Sequence, residues 1–262
     1  HAYSSISADF IARYKRLEGY DVKFVTGTDE HGQKIQKSAD ERKLLPDVFC
    51  NEISKVFLDL TKTLNLSNTD FIRTTEERHH KTVQNLWKVL EEKKFIYLSK
   101  YTGWYSVSDE AFYAESEIIE KDKIKLCEAT GSPVEWVEEE SYFFKLSKFQ
   151  NLLIKHYEDN PDFIQPPSRR NEVMSFVKGG LKDLSISRNS FKWGISVPNS
   201  ENHIVYVWLD ALTNYLTAAN YFDDNSFWPA DVHIIGKDIL RFHAVYWPAF
   251  LLAAEIPLPK KI

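Results

Sequence analysis

Tyr20-Asp21-Val22-Lys23-Phe24-Val25-Thr26-Gly27-Thr28-Asp29-Glu30-His31-Gly32 is the stretch that decides the fold. Its first half, Asp21–Gly27, is rich in β-branched and aromatic residues and predicts a short strand. The second half is polar punctuation at the strand's carboxyl end. In open parallel sheets, ligands sit beyond the carboxyl ends of the strands. A carboxylate there, Asp29, can hold an ammonium or a ribose hydroxyl, although the same residues also make ordinary turns. A second end of this kind follows the apolar run Val232–Ile235, at Gly236-Lys237-Asp238. Helix-start N–H groups at such a place can receive a phosphate.

Working outward, Ser5–Glu18 predicts a helix with Ile6, Phe10, Ile11, Tyr14 and Leu17 on one face, stopped by Gly19. Helices are also expected over His31–Lys43 and over Pro46–Leu64, which opens on a first-turn proline. Thr74 and Glu77 have capping-box spacing ahead of a helix running to about Lys94, with Val83, Leu86, Trp87 and Leu90 as its apolar face. At Phe95 the texture changes. Phe95–Leu98, Tyr101–Val107, Ala111–Tyr113 and Val134–Leu146 are short aromatic-rich segments, followed by expected helices at Ser147–Asp159 and Arg169–Lys178. From about His203 the earlier pattern returns, with helices over Tyr206–Ala218 and Lys237–Glu255 and a strand at Val232–Ile235. The simplest account is an α/β domain in two halves, 1–94 and 203–262, interrupted by a small β-rich and helical insertion at 95–202.

Composition bounds what such a chain does. It has 262 residues, 43% hydrophobic and 27% charged, enough apolar material for a packed core and incompatible with disorder. Its net charge of −5 argues against a surface that grips nucleic acid everywhere. The longest apolar stretch, Ala244–Ala254, is broken by Pro248 and is well short of the about 20 residues a membrane span needs. Cys50 and Cys127 lie far apart, which excludes a disulfide framework and predicts a reducing, cytoplasmic home. The chain opens on His1 and its one methionine is Met174, as expected of a fragment.

Two aromatic stripes stand out. Ile239, Phe242, His243, Tyr246 and Trp247 share a helical face, and Trp208, Ala211, Leu212 and Tyr215 make a second. Each reads either as core or as the wall of an apolar pocket with one polar handle. No Gly-x-Ser-x-Gly elbow, Gly-x-Gly-x-x-Gly or Walker loop, or His-Glu-x-x-His helix occurs. His79-His80 and the basic residues Arg169, Arg170, Lys178, Lys182 and Arg188 read as solvated surface.

Together these signals resemble methionyl-tRNA synthetases. The opening stretch is similar to the segment downstream of that family's HIGH signature, with His1 as the signature's second histidine. Four further motifs follow in the family's order: Phe71–Glu76, Asp183–Arg188, Tyr206–Ala211 and Ile235–Ile239. The resemblance implies a Rossmann-type parallel sheet split by a connective-peptide insertion. It implies activation of methionine by ATP, with Mg2+, through carboxylate attack on the α-phosphate, and then transfer to the terminal adenosine of tRNA(Met). No covalent enzyme intermediate is involved, so catalysis rests on positioning and charge. Matched position by position, Asp29 holds the methionine amino group. Trp208, Ala211, Tyr215, Ile239, Phe242, His243 and Trp247 form the side-chain pocket. Gly236 and Asp238 meet ATP, His1 faces its phosphates, and Arg188 stabilises charge. A thioether suits aromatic walls with one donor, which Tyr215 or His243 can supply. Many relatives bind zinc through cysteine pairs in the insertion; here Ser106 and Asp109 stand at the first pair, so no zinc is expected. The chain stops before the Lys-Met-Ser-Lys-Ser loop, so the fragment alone is expected to be inactive. Competing readings are a class I synthetase for Leu, Ile, Val or Cys, and a non-catalytic synthetase-like binding protein. The compact insertion disfavours the first three, and the Trp208/Tyr215/His243 pocket disfavours Cys.

Overall fold

The computed structural model describes residues 2–121, 124–224 and 227–262. Helix α1 (Ala2–Leu17) leads to β1 (Val25–Thr28), α2 (Gln33–Glu41), α3 (Pro46–Thr63), β2 (Asp70–Arg73) and α4 (Glu77–Glu92). β1 and β2 pair in parallel, Val25 opposite Asp70 and Thr28 opposite Arg73. Parallel neighbours need a long crossover, and α2 with α3 provides it. Gly27 is fixed by this pairing, because a Cβ there would come within 1.9 Å of the Ile72 carbonyl oxygen.

The insertion is antiparallel. β3 (Ile96–Ser106), β4 (Ala111–Tyr113), β5 (Ile118–Lys121), β6 (Ile124–Cys127) and β7 (Glu135–Phe144) precede α5 (Gln150–Asp159) and α6 (Pro167–Lys178). Then come β8 (Leu184–Ser185), β9 (Ser187–Arg188), β10 (Ile204–Val205), α7 (Val207–Ala218) and α8 (Trp247–Ala254). One sheet has the order β4-β3-β7-β8, while β5–β6 and β9–β10 are separate pairs. A single apolar core joins Val83, Leu86, Trp87 and Leu90 of α4 to Phe144 and Phe149, then to Leu212, Leu216 and Phe250. The stem of the insertion therefore packs into the same core as α4, α7 and α8. The whole is a mixed α/β fold of Rossmann type interrupted by a β-rich insertion.

Four local expectations need correction. The apolar stripe of α1 faces solvent, with Phe10 72% and Leu17 87% exposed. That helix is held from its other side by polar contacts: Asp9 Oδ1 accepts from the Ser67 N–H and hydroxyl, both at 2.6 Å. Thr74 does not cap α4, whose N-cap is Glu76. Instead Thr74 Oγ1 accepts the Glu30 N–H at 2.9 Å. Val232–Ile235 forms no strand; the His233 N–H donates to the Lys261 carbonyl at 2.9 Å. Lys237–Glu255 is not one regular helix. A 3₁₀ turn (Lys237–Ile239) and a π turn (Phe242–Tyr246) precede α8. Pro248 has no N–H to return to Ala244, and the Tyr157 hydroxyl donates to that carbonyl instead, at 2.5 Å.

Both cysteines are unpaired and buried. The Cys50 thiol donates to the Glu30 carbonyl at 3.3 Å, and burial pushes it up to about 12. Neither thiol is expected to react with a water-soluble disulfide reagent at about pH 8 until the chain is denatured, since reaction needs an accessible thiolate. Rapid labelling of the native chain would contradict this.

Candidate active site

A cavity of about 470 Å³ opens at the carboxyl end of β1, with Asp29, Glu30, His31, Lys34 and Glu110 among its walls. The two adjacent acids have different jobs. Glu30 is buried and fully engaged: Arg73 donates to both of its oxygens at 2.8 and 2.9 Å, Thr28 to Oε1 at 2.7 Å, and Thr75 to Oε2 at 2.6 Å. It ties the turn after β1 to the end of β2. Asp29 is left facing the cleft. Desolvation, then the nearby charges of Asp210 and Glu110, raise its carboxyl well above the usual carboxylate range. A cation bound there would relieve that cost.

Beneath the turn, Asp210 of α7 is completely buried between two histidines. His31 Nδ1 approaches Asp210 Oδ2 at 2.6 Å, and His79 Nε2 approaches Oδ1 at 2.7 Å. A carboxylate only accepts, so both imidazoles donate to it, and Thr217 Oγ1 lies 2.9 Å from His79 Nδ1. Burial alone would raise the Asp210 carboxyl; the charge and hydrogen bonds of the two imidazoles outweigh it and bring it down to about 2. His79 is thus no solvated residue, because it is fully buried and joins α4 to α7. His31 also packs against His80 and Trp193, with ring centroids 5.5 and 5.4 Å away.

α7 extends from this buried acid to an aromatic pocket. Trp208 stacks on Phe242 with centroids 3.7 Å apart and planes 4° from parallel. The Tyr215 hydroxyl lies 2.7 Å from His243 Nε2, and His243 Nδ1 lies 3.0 Å from the Ile239 carbonyl. A carbonyl only accepts, so Nδ1 carries the proton and Tyr215 donates to Nε2. Burial lowers His243 to about 4, which keeps it neutral. Trp247 closes the pocket near Tyr215, with centroids 6.0 Å apart. Trp208, Tyr215, Ile239, Phe242, His243 and Trp247 are thus brought together, with Ala211 one turn along α7 from Trp208. The π turn is what carries Phe242 and His243 to these positions.

The other expected site residues lie apart. Gly236 and Asp238 stand at the 3₁₀ turn, beside a cavity of about 310 Å³ lined by Gly236, Arg169, Lys237 and Lys261. The Asp238 side chain is exposed, 4.0 Å from Lys237 Nζ. Arg188 is buried rather than surface-lying, its guanidinium carbon 4.1 Å from the centroid of Phe112 and 4.5 Å from that of Tyr206. Its Nε lies 3.8 Å from Glu139 Oε1, and its Nη1 donates to Ser185 Oγ at 2.9 Å. Arg170 likewise turns inward, donating to the Tyr157 carbonyl at 2.8 Å. His1 lies outside the described residues, as does part of the stretch Asp223–Phe227.

Ser106 and Asp109 do not fit a zinc ion. The Asp109 carboxylate accepts from the hydroxyls of Tyr113, Thr130 and Ser132 at 2.7–2.8 Å, and Ser106 Oγ accepts the Asp109 N–H at 3.3 Å. A structural zinc site wants four Cys or His ligands, and hydroxyls converge on this acid instead. No group of three or more His, Cys, Asp or Glu able to hold a metal occurs among the described residues. No described helix is long and apolar enough to cross a membrane.

Sequence reasoning placed Glu30 and His31 at this strand end without a role, and missed Asp210 and Glu110 as parts of the region. The available signal was Asp210 itself, the one charged residue in Val207–Ala218.

An α/β layer split after its first half, with polar groups gathered at the ends of its strands, is the arrangement of class I tRNA synthetases. The family model described as tRNA synthetases class I (M) matches residues 1–262, and the chain belongs to that family. The methionine–tRNA ligase of Rickettsia conorii is 58% identical over 266 residues, covering all of this chain and 52% of that relative. The ligase of Rhizobium meliloti is 55% identical over 268 residues, with the same coverage. Among solved structures, Mycobacterium tuberculosis methionyl-tRNA synthetase bound by methionyl-adenylate overlays with a TM-score of 0.98 at 53% identity, covering all of this chain and 53% of that one. Its free form gives 0.87 at 51% identity, covering all of this chain and 51% of that one. The chain spans about half the length of the relatives it matches.

Proposed function

We propose that this chain is the methionine-activating part of a cytoplasmic methionine–tRNA ligase. A methionine carboxylate oxygen attacks the α-phosphorus of Mg2+–ATP, the bond to the β-phosphate bridging oxygen breaks, and methionyl-adenylate and pyrophosphate form. A hydroxyl of the terminal adenosine of tRNA(Met) then attacks the methionyl carbonyl and AMP leaves. In this reading Asp29 pairs with the substrate ammonium. Trp208, Ala211, Tyr215, Ile239, Phe242, His243 and Trp247 enclose the thioether. Gly236 and Asp238 meet the nucleotide, His1 faces its phosphates, and Arg188 supplies charge near the site. Residues 1–94 and 203–262 are the two halves of the catalytic domain and 95–202 the insertion. That division is supported by the antiparallel sheet that starts at Ile96 and by the return of helix at Val207.

The observation that carries this reading is the Tyr215–His243 hydrogen bond in an otherwise aromatic pocket. It fixes one polar pair, its two protons already given to His243 Nε2 and the Ile239 carbonyl, within aromatic walls that suit a polarisable thioether. The overlay on the adenylate-bound relative supports it further. The test is ATP–pyrophosphate exchange by the full-length protein with each of the twenty amino acids. Exchange with methionine is expected to exceed that with Leu or Ile by at least about 100-fold, the scale set by one apolar contact plus one polar contact. Exchange with another amino acid would overturn the substrate, and no exchange from a folded protein would overturn the activity.

A further inference from the structure

The turn between β3 and β4 sends one acid out of the insertion and into the cleft. Glu110, at φ +48°, lines the same cavity as Asp29. Its Oε1 accepts the Lys34 N–H at 3.2 Å, in the first turn of α2. Gly32 is the N-cap of α2, at φ +106°, and makes no side-chain cap of its own. A Cβ on Gly32 would lie 2.1 Å from Glu110 Oε1, so the missing side chain is the space the carboxylate occupies. Behind it, the Tyr206 hydroxyl donates to the Glu110 carbonyl at 2.7 Å, tying the turn to the start of α7.

We propose that Glu110 is a positioning residue for the amino-acid substrate: it grips the N-terminus of α2, holds the Thr28–Gly32 turn, and adds its charge to Asp29's in attracting the substrate ammonium. This rests on the functional reading given above. A carboxylate at a helix start is favoured by the unpaired N–H groups there, and the glycine cap lets it come from a distant segment. Its charged neighbours are Lys34 on α2, Arg188 on β9, Asp210 on α7 and Asp29 in the β1 turn. Tyr105 on β3 and Tyr206 before α7 are the nearby phenols. Burial pushes Glu110 up to about 7, against the pull of the Lys34 N–H, Lys34 and Arg188. Protonation removes a negative charge from the cleft, so ammonium binding weakens as pH falls through about 7.

The experiment compares the full-length protein with Glu110→Gln and Glu110→Ala. It follows the methionine KM and the kcat of pyrophosphate exchange from about pH 6 to about pH 8.5, together with hydrogen exchange of the Lys34 amide. The wild-type KM is expected to rise as pH falls across this range. Glu110→Gln keeps the Lys34 contact but loses the charge. Its KM at the alkaline end is expected to rise on the order of tenfold with kcat within about twofold, and its pH slope to flatten. Glu110→Ala also loses protection of the Lys34 amide, which Gln retains. A wild-type KM and pH slope in the Gln variant, or a protected Lys34 amide in the Ala variant, overturns the proposal. Absence of methionine-dependent exchange in the wild type would instead overturn the functional reading, and the Lys34 amide would still decide whether Glu110 holds α2.

Discussion

Asp29→Asn in the full-length protein is expected to lower kcat/KM for methionine-dependent pyrophosphate exchange by about 10²–10³-fold, the loss that follows when the charge partner of a bound cation is removed. Of the two acids after β1, only Asp29 is available. Glu30 already accepts from Arg73, Thr28 and Thr75 and cannot take over. The amide keeps the shape and the ability to accept a hydrogen bond, so the change isolates charge.

Loss of fold would also abolish activity, and linkage separates the two outcomes. The Asp29 carboxyl is raised in the folded state, chiefly by desolvation and then by Asp210 and Glu110. For an acid shifted upward, the ionised form is the one folding disfavours, so at neutral pH Asp29 costs stability. Neutralising it leaves the thermal midpoint unchanged or higher. An active Asn variant would sink the assignment of Asp29 to the ammonium, and an inactive variant with a lower midpoint would leave a folding defect as the cause.

How much of this region was legible depended on whether the signal was local. α3 opening at Pro46 and the face Val83, Leu86, Trp87, Leu90 are periodicity and punctuation, and the structure bears them out; the strand expected over Asp21–Gly27 starts only at Val25 and runs to Thr28. The two aromatic stripes were visible because Trp208 and Tyr215, and Phe242 and His243, sit on nearby turns of the same segments; spacing alone did not distinguish pocket from core. What stayed hidden needs partners far apart in the chain. His79 reads as a surface residue in a charged stretch until Asp210, 131 positions on, meets it. Glu110 belongs by sequence to a turn in the insertion, and only folding brings it to Lys34, 76 positions away. The stripe on α1 misled for the converse reason: period marks an apolar face but not what covers it. The π turn follows from Pro248 and Tyr157 together, and the tyrosine is 87 residues from the carbonyl it satisfies.

Asp210→Ala is expected to destabilise the fold by about 3–5 kcal/mol, as is usual when one member of a buried, hydrogen-bonded charge cluster is removed. The carboxylate is the acceptor for both His31 and His79, and neither donor can reach water when it is gone. At roughly 2–4 °C per kcal/mol for a domain of this size, the thermal midpoint falls by roughly 6–20 °C. The acid limb of stability provides an independent check. Asp210 is lowered from 3.8 to about 2, so its contribution is complete above about pH 4 and is lost as pH falls toward 2. The Ala variant no longer has that stabilisation to lose between pH 4 and pH 2, so its acid limb is flatter. Thermal melts of both proteins across that range measure both effects. A midpoint within about 2 °C of wild type near neutrality, or an unchanged acid limb, would show that the two histidines do not depend on this carboxylate. Activity adds a third readout, because Asp210 supports the turn through His31 and begins the pocket wall on α7. Removing it is therefore expected to raise the methionine KM even at temperatures where the variant remains folded.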